Sequence, residues 1–156
     1  MRILGLTVAF LVLFACAPWR FATAAEGFRV DYVGGTNSAL TTKTDGVLKT
    51  GGEEFLAFKA KRNQVQVSYA KINLIEYGQK VDRRYMVAFF LSPLFLLSKS
   101  RQHFLTVGYT DDAGRQQAMV FQVAKGSVRS VLVSLEARTG LKVQFQDGEA
   151  RKAGKG

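Results

Sequence analysis

The sequence holds one histidine and one cysteine, and that shortage decides most of the chemistry open to it. A hydrolytic triad needs a base held against a nucleophile. The sole histidine, His103, lies between Arg101 and the start of an apolar run, where neighbouring charge lowers its pKa; a solvated histidine at a strand end is the expectation. A metal centre needs several converging ligands, and with Cys16 near the N-terminus only carboxylates are left to supply them. The acidic pairs are Asp111-Asp112 and Glu53-Glu54, each beside a glycine turn, which predicts turn and strand-edge roles. Gly34-Gly35 and Gly51-Gly52 lack the strand-to-helix setting and the lysine of a phosphate loop. A pocket lined by Tyr32, Tyr69 and Glu76 is the one opening left for an enzyme, and no spacing supports it. No enzyme, no metal and no cofactor are expected.

The residues that could bind rather than react are concentrated in one segment. Met86 to Leu97 is apolar apart from Ser92, with Lys80, Arg83 and Arg84 before it and Lys99 and Arg101 after it. If the segment dips into a bilayer as a hairpin turning at Ser92-Pro93, Phe89, Phe90, Leu94 and Phe95 reach the acyl region and the flanking cations meet lipid phosphates. As a helix, twelve residues reach only about 18 Å, against a hydrocarbon core of about 30 Å, so the segment is too short to span. The competing reading makes Tyr85 to Leu91 a core strand that ends at Pro93, with Leu94 to Leu97 covering one mouth of a barrel. Under both readings the cations form an electropositive rim.

Charge and compartment narrow the partner. With 22 basic against 12 acidic side chains the formal net charge is +10, which favours anionic partners: nucleic acid, phospholipid head groups, acidic polysaccharide or acidic protein. Arg2, the apolar stretch Ile3 to Ala17 and the small-x-small sequence Ala22-Thr23-Ala24 have the form of a secretory leader cleaved after Ala24. Leu13-Phe14-Ala15-Cys16 resembles a lipoprotein box but has Phe where a small or β-branched residue is usual, so ordinary cleavage is expected over lipidation at Cys16. Export makes nucleic acid an unsuitable partner. Anionic lipid or an envelope protein remains, in the periplasm or cell envelope. The expected organisation is a leader over 1–24, a β-rich domain over 25–146 and a charged flexible tail over 147–156.

The elements that must position these residues follow from apolar periodicity. Phe28, Val30 and Tyr32 alternate with polar residues, and Gly34-Gly35 ends or bends the strand. Val47 to Lys49, Phe55 to Phe58, Val65 to Tyr69 and Ile72 to Tyr77 are further strands separated by turn residues. Phe104 to Tyr109 and Ala118 to Val123 form a hairpin across Asp111-Asp112-Ala113-Gly114. Val128, Val131, Leu132 and Leu135 then recur at helical spacing, with Ser127 expected as N-cap, Arg138 in the last turn and Gly140 closing the helix. Leu141, Val143 and Phe145 alternate as a last strand. The sum is an α+β, β-rich fold: a bent antiparallel sheet or partly closed barrel with one C-terminal helix.

Three motifs carry a family resemblance: Tyr32-Val33-Gly34-Gly35-Thr36, Ile75-Glu76-Tyr77-Gly78-Gln79-Lys80-Val81 and Leu135-Glu136-Ala137-Arg138-Thr139-Gly140. In this order they resemble an uncharacterised bacterial family with a pleckstrin-homology-like fold. The resemblance implies a strongly bent sheet of about seven strands forming a small barrel, with the C-terminal helix plugging one open end. It implies no reaction, since such folds are scaffolds for binding lipids or peptides. The sequence therefore predicts an exported, non-catalytic binding module that associates with an anionic membrane surface. A module that docks a partner protein chain through a strand edge or apolar patch is the alternative.

Overall fold

The computed structural model describes residues 27–37, 39–79 and 102–155. They form strands β1 (Phe28–Gly35), β2 (Thr44–Lys49), β3 (Phe55–Ala60), β4 (Gln64–Ser68), β5 (Ile72–Gly78), β6 (Phe104–Thr110), β7 (Gln116–Val123) and β8 (Gln144–Phe145), with helices α1 (Val128–Thr139) and α2 (Gly148–Lys155). The fold is α+β, and one eight-stranded sheet runs in the order β4-β3-β2-β1-β7-β6-β5-β8. Two antiparallel meanders, β1 to β4 and β5 to β7, are joined through the antiparallel β1–β7 pair. Short connections join β2 to β3, β3 to β4 and β6 to β7, the cheapest way to build antiparallel neighbours, whereas residues 79–103 separate β5 from β6.

The sheet is not closed into a barrel, which corrects the expected closure, and it has eight strands where about seven were expected. Closure would need β4 to reach the free edge of β5. Over Glu76 and Tyr77 that edge is taken by β8, which pairs parallel to β5. The chain passes from β4 to β5 through a 3-10 turn at Tyr69–Lys71, leaving β4 and β8 as the two ends of the sheet. The bend expected at the first glycine pair is present as a β-bulge between Tyr32 and Gly34, which adds local twist where the two meanders join.

One face of the sheet holds the core. Tyr32, Phe58 and Phe121 meet there with ring centroids 5.2–6.1 Å apart, and the apolar stripe Val128, Val131, Leu132 and Leu135 of α1 packs into the same cluster. Helix α1 ends as expected: Gly140 adopts φ 71° and its N–H donates to the Glu136 carbonyl. Its start differs from expectation. Ser127 is itself in helical conformation and makes no side-chain cap, because a 3-10 turn at Lys125–Ser127 leads directly into the helix.

The last elements also depart from the sequence reading. Alternation at Leu141, Val143 and Phe145 predicts a full strand, but only Gln144 and Phe145 join the sheet. The Val143 N–H donates to the Glu136 carboxylate and the Leu141 N–H to the Thr139 hydroxyl, so neither is free for a ladder. Beyond Asp147 the residues expected as a charged tail form α2. The Asp147 carboxylate accepts the Ala150 N–H at 2.6 Å, as an N-cap does, and Ala150 is buried in the core cluster.

Candidate functional site

The residues singled out as the binding rim, Lys80, Arg83, Arg84, Lys99 and Arg101, and the apolar residues Phe89, Phe90, Leu94 and Phe95, lie outside the described residues. So do the leader and Cys16. What the structure does place is the pair of positions from which this segment leaves and to which it returns. Gly78 and Phe104 are register partners in the antiparallel β5–β6 pair, so the chain departs beyond Gln79 and comes back at Gln102 at one and the same end of the sheet. Lys80 and Arg101 are bonded to those residues, and at about 3.8 Å per residue the basic clusters are tethered to that end.

The same end has a chemistry of its own. Tyr77 and His103 stack with ring centroids 6.0 Å apart and planes 8° from parallel, and the Tyr77 hydroxyl lies 2.5 Å from His103 Nδ1. His103 stands just before β6, as its sequence position predicts, but it is buried, which corrects the expectation of a solvated side chain. Burial, and then the nearby Lys125 ammonium, hold the His103 pKa below its usual 6.5. Burial pushes the Tyr77 hydroxyl up to about 12. The pair is therefore neutral at physiological pH, and the histidine tautomer sets which of the two groups donates.

An open recess beside this pair is lined by Gln79, His103, Lys125, Glu149, Lys152 and Ala153. Lys125 stands on the 3-10 turn before α1, while Glu149, Lys152 and Ala153 come from α2; the two lysines are exposed. Arg151 and Lys155, also on α2, each approach the Phe145 ring with their cations 6.0 Å from its centroid. Four cations are thus held at or near the end of the sheet where the expected rim is tethered. The sequence reading missed all four: it treated Arg151, Lys152 and Lys155 as part of a charged flexible tail and gave Lys125 no role. The capping run Asp147-Gly148-Glu149-Ala150 was the available signal. Such a surface can hold an oxyanion through ammonium groups.

The other candidate groups are dispersed. Tyr32 is in the core, its pKa raised to about 12 by burial and then by Tyr109. The Tyr69 hydroxyl donates to the Thr50 carbonyl at 2.9 Å. Glu76 lies on the opposite face of β5 from Tyr77, where its carboxylate accepts from Gln146 Nε2 at 3.0 Å, so the three line no common pocket. Asp111 organises the β6–β7 turn, accepting the Ala113 and Arg115 N–H groups and the Arg115 and Gln117 side chains. Those bonds, the Arg115 N–H foremost, hold its carboxyl below the usual range. Asp112 pairs with Lys71. Both are turn residues.

The sequence matches no family model and no curated protein.

Proposed function

We propose that this chain is an exported, non-catalytic binding module that associates with an anionic membrane surface through the basic end of its sheet. The observation that carries the proposal is the recess itself. Lys125 and Lys152 flank it, at the end of the β5–β6 pair to which Lys80, Arg83 and Arg84 on one side and Lys99 and Arg101 on the other are covalently tied. Lipid phosphates meet such a rim at roughly 1 kcal/mol per cation. The two meanders with a late helix packed on the core, and the three motifs, support a pleckstrin-homology-like scaffold. Export rests on the leader pattern, and it places the basic surface among envelope lipids rather than nucleic acid.

Neutralising Lys125 and Lys152 to Gln removes two favourable contacts and is expected to weaken binding to anionic liposomes by about 30-fold at low salt. It should also flatten the salt dependence. Unchanged binding by this variant, and by one reversing Arg83 and Arg84, would sink the proposal.

A second reading has one observation in its favour. Strand β4 ends the sheet with Gln64 and Gln66 exposed, and Phe55 on the adjoining strand is an exposed large apolar side chain, so an added strand from a partner protein has an edge to pair with. That reading predicts a complex that survives detergent and is indifferent to lipid composition.

A further inference from the structure

Strand β6 is buried from Phe104 through Tyr109, so the sheet is covered on both faces there. Alternation separates the two sets. Leu105, Val107 and Tyr109 point into the core cluster, as do Met119, Phe121 and Val123 of β7. Phe104, Thr106, Ala118 and Val120 point the other way and are 5%, 4%, 3% and 0% exposed. The last three form a continuous patch by register, because Thr106 faces Val120 and Gly108 faces Ala118. Phe104 continues the patch toward the strand end, beside Gly78. Val33, in the bulge next to Val120, is likewise buried outside the core cluster. Helices α1 and α2 contribute their buried residues to the core cluster, which is the opposite side. An antiparallel sheet of this kind ordinarily leaves one face to water. This one has a second apolar face that no described element covers.

We propose that the occupant of this face is the chain's own segment Tyr85–Leu97. The segment belongs to residues 80–101, which leave after Gln79 and return at Gln102, directly beside Phe104 and Gly78 at the margin of the patch. Val120 and Thr106 lie only two residues further along the strands, about 7 Å. Twenty-two residues going out and back reach about 35 Å when extended. The segment has the length, the entry point and the apolar character the face requires. This places Phe89, Phe90 and Phe95 on the sheet rather than in a bilayer. The cations at both ends of the segment stay at the rim, so lipid binding by the basic end and seating of the apolar run are separate claims.

Single cysteines in a Cys16→Ser chain test the seating. Thr106→Cys reports the outer face and Val107→Cys, on the core face, reports folding. With the segment intact, Thr106→Cys should react with a polar thiol reagent at least tenfold more slowly than a cysteine at exposed Gln116. Changing Phe89, Phe90 and Phe95 to Ser should raise that rate at least tenfold while Val107→Cys stays protected. Oxidation should also link Thr106→Cys to Phe89→Cys or Phe90→Cys, a measurement that does not depend on the serine variant folding. Fast reaction of Thr106→Cys in the unaltered segment would overturn the proposal, as would failure of both cross-links. So would deprotection by anionic liposomes, which would seat the segment in lipid, or deprotection by removing residues 1–26, which would make the N-terminus the cover. None of these readouts requires that the basic rim bind lipid.

Discussion

His103 shows how far a single residue's environment departs from what its neighbours in sequence suggest. Its depressed pKa was legible from adjacent charge, but the cause is mainly burial, with Lys125 second. Lys125 is distant in sequence and arrives by the fold. The sign of the pH effect follows. A histidine whose folded pKa lies below 6.5 binds more protons when unfolded, so stability rises with pH across that interval. It is held in full above the unfolded pKa and declines as pH falls below about 6.5. Denaturant titrations between pH 8 and pH 5 should show this decline, and His103→Gln should lose that part of the slope; a variant with an unaltered slope would place the titration elsewhere.

Gly78 makes a second prediction at the residue scale. A Cβ there would lie 1.7 Å from Gln146 Oε1, and moving Gln146 removes the hydrogen bond it donates to buried Glu76. Gly78→Ala should destabilise by about 1–3 kcal/mol, the cost of disturbing a bond to a buried carboxylate. In a Gln146→Ala background the same change should cost much less, since the obstruction is gone. Equal costs in the two backgrounds would show that Gln146 is not the obstacle.

At the scale of elements, the strands were legible wherever one face is buried and the period of two is clean, as in β1 and β4. The helix α1 was legible from Val128, Val131, Leu132 and Leu135. The sequence reading failed where a local side-chain bond decides the backbone's fate. Glu136 and Thr139 capture the Val143 and Leu141 N–H groups and shorten β8, and the Asp147 cap starts α2 within residues whose charge reads as a tail. Small residues explain the rest of α2: a Cβ on Gly154 would lie 2.6 Å from the Phe145 ring and 3.2 Å from Leu132, so the helix approaches the core closely only because its side chain there is absent. Leu135→Ala, in the centre of the α1 stripe and fully buried, should cost about 2–5 kcal/mol in thermal or urea unfolding. Gly140→Ala should cost only about 1–2 kcal/mol, because its positive φ is the sole penalty and no atom lies within 4 Å of the added Cβ. A loss from Gly140→Ala larger than that from Leu135→Ala would contradict this division between core packing and helix closure.

For the whole molecule, the sequence motifs mark structural joints. Tyr32 to Thr36 holds the bulge where the meanders meet, with the Ala118 N–H donating to the Thr36 hydroxyl. Ile75 to Gln79 builds the edge that β8 joins and ends at the recess. Leu135 to Gly140 closes α1, with the Arg138 guanidinium donating to the Gly51 carbonyl. The segment singled out for binding is tied to the end of the sheet where Lys125 and the cations of α2 also gather. That convergence depends on chain reversal between β5 and β6 and on α2 folding back, neither of which a linear charge pattern reveals. It makes one end of the molecule basic, and the most direct measurement is co-sedimentation of the purified protein with neutral and anionic liposomes at low and high salt. Binding that requires anionic lipid and weakens as salt rises is the predicted result; equal binding to neutral and anionic liposomes, or none to either, would contradict a membrane-binding role for the basic end.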